Sequence, residues 1–170
     1  DNGRLYQSYL GKKLSHETDI SHLPHGTEAY ITHGMEDYFE PAIHILHNDG
    51  NPSLLLKYVS HETKAVSQGV NETIITLGDD KYPVTVKLHY VTYPAEDIIK
   101  TYTEISHKEK KPVVLHQYAS SMLHLNRAKY YLTEFAGDWA HEANISDQPL
   151  EFGKKVLDTK LGARANMFTP

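Results

Sequence analysis

The chain has 170 residues, 39% of them hydrophobic and 23% charged, with a formal net charge of −5. That length suits one domain with a core of its own, the negative charge argues against a nucleic-acid surface, which needs a basic stripe, and no apolar run approaches a membrane span. Cysteine is absent, which excludes disulfides, a thiolate zinc site and a thiol nucleophile.

The chain opens "DNGRLYQSYLG", where a turn dipeptide runs at once into an extended stretch. There is no initiator Met and no signal peptide, and both ends read as cuts in a longer polypeptide. Lack of cysteine suits the cytoplasm and equally a bacterial periplasmic or secreted setting. "THGMEDYFEP" has no period and reads as an irregular loop. "EPAIHILHNDGNPSLLLKYVSHET" reads as strand, turn, strand, the Asp49-Gly50 step supplying the positive φ of a reversal. In "NETIITLGDD", Thr73, Ile75 and Leu77 alternate against Ile74 and Thr76, and Gly78-Asp79-Asp80 turns the chain. "YPVTVKLHYVTYP" has the clearest period of two, with Val84, Val86, Leu88 and Tyr90 on one face and Thr85, Lys87 and His89 on the other.

"DIIKTYTEISH" and "PVVLHQYASSML" read as a further adjacent pair joined across "KEKK". Lys108, Glu109, Lys110 and Lys111 then form a solvated turn. "SSMLHLNRAK" makes one or two helical turns at most, and "KYYLTEF" and "FGKKVLDTKLG" add two strands. The 12 tyrosines and many β-branched residues suit pleated, half-buried surfaces. The expected fold is all-β: a predominantly antiparallel two-layer β-sandwich with few or no helices, forming one domain over residues 1–170.

Twelve histidines invite a metal reading. A sandwich metal site usually carries two histidines at i and i+2 on one strand. No His-x-His occurs, His22 and His25 flank Pro24 in a loop, and His44 and His47 fall on opposite faces of a strand. No metal and no organic cofactor is expected. Asp37, Glu40, Asp138 and Glu142 lie near aromatic residues, as carboxylates flanking a glycosidic bond would, but spacing sets no pair at a working separation. Ser120-Ser121 lacks the G-x-S-x-G elbow. Asn71-Glu72-Thr73 and Asn144-Ile145-Ser146 match the glycosylation sequon. "FAGDWAHEAN" sets the single Trp, Trp139, after a Gly-Asp turn beside His141 and Glu142. Such a Trp stacks on a sugar ring or fills a core.

Taken in order, these segments resemble one family. "GRLYQSYLGKKL", "GMEDYFEPAIHILHNDGN", "LKYVSHET", "TYPAEDIIKTYTEISHKEKKPVVLHQYASSMLHL", "GDWAHE" and "LGARANMFTP" are similar to successive motifs of the N-terminal domain of family 36 glycoside hydrolases, the α-galactosidases. The resemblance spans nearly the whole chain. Departures are Glu36 where the family has Gly, Phe39 where Arg is common, and His141 in place of a frequent Arg.

The resemblance implies a supersandwich of the galactose mutarotase type, followed in the parent enzyme by a (β/α)8 barrel. It implies a retaining hydrolase of terminal α-linked galactose, in which one Asp attacks the anomeric carbon and a second protonates the leaving oxygen and then activates water. Both belong to the barrel, the nucleophile in a Lys-Trp-Asp-x-Asn motif that this chain lacks. The segment alone is therefore expected to be inactive. Implied partners are the barrel of the same polypeptide, an α-galactoside substrate and a homo-oligomer, with no nucleic acid and no membrane span. Asp37, Tyr38, Trp139 and His141 are the candidates for the substrate entrance or the interdomain seam, because they sit in loop-like motifs. The competing reading is a stand-alone module that binds carbohydrate through Trp139 and tyrosines.

Overall fold

The computed structural model describes residues 2–11, 14–22, 26–35, 40–125, 129–138 and 141–158. The chain falls into two compact units, Asp1–His124 and Leu125–Pro170. The first contains strands β1 (Tyr6–Gln7), β2 (Thr27–Glu28), β3 (Ile43–Leu46), β4 (Lys57–Ser67), β5 (Val70–Gly78), β6 (Val84–Tyr93), β7 (Ile98–His107) and β8 (Val114–Tyr118), with one 3-10 helix at Glu17–His22. The second contains β9 (Tyr131–Asp138) and β10 (His141–Pro149). The strand pairs are antiparallel, and the all-β expectation holds.

Strands β4, β5, β6 and β7 form a meander in that order. Reversals connect them, and at the β4–β5 turn Gly69 has φ 77°, a conformation that costs other residues a Cβ clash. Strand β6 alternates as its sequence predicts: Val84, Val86 and Leu88 are buried and join Leu77 in one cluster with Ala42, Ile43, Ile45, Leu54 and Leu56. That cluster lies between the meander and the ribbon β3–β8, which makes the two layers. Each aliphatic side chain buried in this way contributes about 1.5–3 kcal/mol.

The opposite face of the meander is less polar than its alternation suggests. Glu72, Ile74, His89 and Val91 are buried there too. Asp79 sets the connection from β5 to β6, its Oδ1 accepting from the amides of Lys81 and Tyr82 and its Oδ2 from that of Leu55.

Three expectations are corrected. First, β7 and β8 are not a hairpin: β7 pairs with β6 and β8 with β3, so "KEKK" carries the chain from one layer to the other. Its Glu109 is not solvated. Glu109 is turned inward by His47, whose Nδ1 donates to Oε1 at 2.7 Å, and by the amide of Asn48, which donates to Oε2 at 3.0 Å. Second, β3 and β4 are likewise in different sheets, although Gly50 has the expected positive φ of 85°. His47 lies one residue past β3, buried and stacked on Tyr82 at 3.5 Å. Third, the last strand among the described residues is His141–Pro149; the described part of "FGKKVLDTKLG", 152–158, holds no strand and leaves Phe152 and Val156 exposed. "HEANISDQP" is a poor strand former by composition. It is extended because β9 offers a partner in register, Ile145 opposite Phe135 and Asp147 opposite Thr133. The described part of "SSMLHLNRAK", 120–125, holds no helix.

Candidate functional site

Of the four residues singled out from sequence, Asp37, Tyr38 and Trp139 lie outside the described residues. The same is true of Thr159 onward and of the His141 side chain; the His141 backbone opens β10, paired with Asp138. Their flanks are described. The chain between His33 and Ala42 is closed at its base by the His33 amide donating to the Ile43 carbonyl at 2.9 Å and the Ala42 amide donating to the Ile31 carbonyl at 2.7 Å. The β9–β10 hairpin carries a register shift between His141 and Asn144. Such irregularities re-aim side chains near functional sites.

Glu72, Glu109, Asp49 and Glu28 are committed to partners within the domain. Glu72 accepts from the Tyr102 hydroxyl at 2.6 Å and from His89 Nδ1 at 2.9 Å, and Lys64 Nζ lies 3.4 Å away. Tyr102 above all, then His89, holds the Glu72 carboxyl at about 2. The same bond pushes the Tyr102 phenol up to about 12. Tyr102 also stacks on the His89 ring, 4.2 Å between centroids, under the Lys100 ammonium. A carboxylate so depressed is a poor general acid or base near neutrality. Burial pushes the Glu109 carboxyl up, but hydrogen bonds from His47 and Asn48 outweigh it and leave it below its ordinary value. Asp49 is lowered by the Asn51 amide and then by the Tyr82 hydroxyl. Glu28 pairs with Arg4. Among the described residues no group of three or more histidines and acids is placed to hold a metal ion.

Sequence reading missed the Glu72–His89–Tyr102 set. Its signal was a charged residue two before Ile74 in an apolar strand, diagonal to the histidine that pairs with Ile74 on the next strand, a spacing at which long side chains still meet.

One groove of about 750 Å³ opens where β6 turns into β7, with Ile98, Ile99, Leu10, Leu123, Tyr93 and Asp97 on its walls. Asp97 sits there at φ 54°. The walls are mainly apolar, a surface for packing against protein more than for turning over a sugar.

The sequence profile described as "Glycosyl hydrolase family 36 N-terminal domain" matches residues 3–170. The chain belongs to this family. Curated relatives of this family 36 domain include "Probable alpha-galactosidase G" of Aspergillus terreus, 23% identical over 150 residues, which cover 81% of the chain and 21% of that protein. "Alpha-galactosidase C" of Emericella nidulans is also 23% identical over 150 residues, 81% of the chain and 20% of that protein. Among solved structures, the α-galactosidase AgaA of Geobacillus stearothermophilus superposes with a TM-score of 0.76 at 22% identity, over 99% of the chain and 26% of its own. AgaB of the same organism does so at 0.75 and 22%, over 84% of the chain and 22% of its own. These likenesses place the family 36 domain in the β-sandwich fold. The chain spans about one-fifth of the length of the curated relatives it matches. Among the described residues no helix is long and apolar enough to cross a membrane.

Proposed function

We propose that this domain is the non-catalytic N-terminal sandwich of a retaining α-galactosidase that removes terminal α-linked galactose from oligosaccharides. The observation that carries the reading is the family match over residues 3–170. Two features support it. Its curated relatives are α-galactosidases about four times its length, and Glu72, Glu109, Asp49 and Glu28 are each engaged by a neighbouring side chain within the domain. Doubly substituted forms of AgaA have been solved with stachyose and with raffinose, and we extend that substrate class to the parent of this chain.

In this reading residues 1–170 act as one domain that packs on a (β/α)8 barrel carrying both catalytic Asp residues. The exposed Ile98, Ile99 and Leu123 supply apolar surface of the kind a second domain covers. Asp37, Tyr38, Trp139 and His141 stand at the substrate entrance or the seam, and a homo-oligomer is the expected assembly.

The test has two arms. The reading frame downstream of Pro170 is expected to encode a barrel with a Lys-Trp-Asp motif, and the 170-residue chain is expected to release no galactose from an aryl α-galactoside. Turnover by the purified chain, with contaminants excluded, overturns the reading. Calorimetric binding of raffinose that disappears in Trp139→Ala, together with a stop codon at that point, replaces it with a stand-alone carbohydrate-binding module.

A further inference from the structure

Strand β4 lies at one edge of the four-stranded sheet and β7 at the other. An edge strand carries a row of backbone N–H and C=O groups that can template a further strand. The two edges differ in how far they are taken up. Along β7, Thr101 donates to Ser121 Oγ at 2.7 Å and Thr103 to the Ser120 carbonyl at 3.0 Å, so the chain after β8 already lies against it. Its charges are engaged too, Lys100 over the Tyr102 ring and Glu104 beside Lys87. Along β4, residues 58–67 are exposed. Among the described residues its backbone has one hydrogen bond from outside the sheet, the Tyr58 amide donating to the Gly3 carbonyl at 2.7 Å. The register with β5 breaks between Tyr58 and Ser60 and again between Ala65 and Ser67, and is regular from Ser60 to Ala65. Bulges of this kind bend the ends of an edge away from passing strands, so what stays open here is a short central stretch.

We propose that residues 61–65 of β4 pair with the same residues of a second copy of this chain, antiparallel about a two-fold axis at Thr63, so that the two sheets run on as one. The proposal gives a surface to the homo-oligomer of the preceding reading and rests on that part of it, not on the enzymatic part.

Charge fixes both the partner and the register. Glu62 and Lys64 share one face of the sheet, since they pair with Ile74 and Glu72 on β5. Centred on Thr63, an antiparallel self-pairing sets Glu62 opposite the partner's Lys64 and Lys64 opposite the partner's Glu62. Opposite charges facing each other across strands are favourable and like charges are not. Moving the axis by one residue either way places Glu62 opposite its own copy, or Lys64 opposite its own copy, so the neighbouring registers are disfavoured by repulsion. Glu62 has no ion pair or hydrogen bond among the described residues. Lys64 Nζ lies 3.4 Å from Glu72, and an ammonium with three donors can hold a second carboxylate beside the first. On the other face Thr63, bonded to Thr73 at 3.0 Å, would meet its own copy at the axis, a pairing of hydroxyls that suits adjacent strands.

The test uses the 170-residue chain. Sedimentation equilibrium over a concentration series is expected to show monomer and dimer in exchange. Glu62→Lys or Lys64→Glu alone sets like charges opposite at both symmetry-related contacts and is expected to weaken the dimer about tenfold. The two substitutions together exchange the charges and are expected to restore it to within about threefold. Because the chain has no cysteine, Thr63→Cys introduces a single thiol at the axis. Opposed Cα atoms in an antiparallel pair stand about 4.5–5.5 Å apart, inside the range a disulfide spans. Oxidation of Thr63→Cys is therefore expected to give a covalent dimer, and oxidation of Ser106→Cys, on the other edge strand, is not. Should a charge variant not fold, the Thr63→Cys crosslink carries the test. A chain that stays monomeric across the series overturns the proposal. A dimer that neither charge reversal weakens, or that crosslinks through Ser106→Cys and not through Thr63→Cys, overturns the β4 surface while leaving a homo-oligomer in place. None of these results bears on the barrel expected downstream.

Discussion

In the first unit the strand pair β5–β6 buries Leu77, Val84 and Val86 against a second layer; in the second unit the pair β9–β10 leaves Tyr131, Phe135 and Ile145 exposed. Both are antiparallel hairpins in regular register over most of their length. The difference is what lies on their faces. A two-stranded hairpin is marginal in water, and a third strand or a packed layer is what makes it persist. The first unit supplies that layer from its own sequence. The second is held by cross-strand pairs such as Thr133 with Asp147 and Gln148 with Glu134. Stability should therefore be global in the first unit and local in the second.

The largest expected effect tests this division directly. Ile43 is fully buried between the layers, and Ile43→Ala should cost about 2–5 kcal/mol, the removed methylenes plus the cavity they leave. Ile145 is 68% exposed, and Ile145→Ala should stay within about 0.5 kcal/mol. Urea unfolding of both variants decides the matter. Equal losses would mean that the two units share one cooperative core.

Next in size is Tyr30→Phe. Tyr30 is buried, and its hydroxyl donates to the Ala119 carbonyl at 2.9 Å, tying the segment before β3 to the end of β8. Deleting that hydroxyl leaves a carbonyl without its partner and should cost about 1–2 kcal/mol by urea unfolding. A neutral result would show that the tie between these segments rests on packing alone.

Acid should reach the first unit through Glu72. Its carboxyl falls from 4.5 to about 2 on folding, chiefly through the Tyr102 hydroxyl and then through His89. A depressed carboxylate stabilises the folded state above its unfolded value. That contribution should fade as pH drops from 4.5 toward about 2. The urea midpoint of the wild type should fall across this window, and that of Glu72→Gln should fall less. Identical slopes would remove Glu72 from the account of acid stability.

How legible all this was depends on range. Strand β6 was readable because Val84, Val86 and Leu88 obey a period of two that one buried face enforces. The hairpin partners of β8 were not, because the four residues "KEKK" look like any polar turn. The pairing of β7 with β6 and of β8 with β3 shows that they cross between layers, and the buried His47–Glu109 pair, 62 residues apart, anchors the crossing. Strand β10 was invisible for a related reason: its residues have weak strand propensity, and pairing with β9 overrides it. The contact of His44 with His116, ring centroids 4.8 Å apart, depends on a bulge, which shifts a face by one residue and leaves no mark in composition. Family motifs carried what periodicity could not, since the match runs over residues 3–170 and includes segments with no alternating pattern.

The smallest expected effect sharpens the opening contrast. Two exposed hydroxyl contacts cross hairpins at equivalent positions: Thr63 with Thr73 between β4 and β5, 3.0 Å apart, and Thr133 with Asp147 between β9 and β10, 2.6 Å apart. Each cross-strand pair contributes about 0.2–1 kcal/mol, so Thr63→Ala and Thr133→Ala remove comparable interactions. What should differ is where the loss is felt. The β4–β5 pair belongs to a four-stranded sheet, so Thr63→Ala should lower the global urea midpoint slightly. The β9–β10 pair stands by itself, so Thr133→Ala should leave that midpoint unchanged and speed amide exchange only within residues 131–149. If Thr133→Ala instead lowered protection at Val86 and Ile43, the hairpin would be coupled to the sandwich core, and the two units would unfold as one.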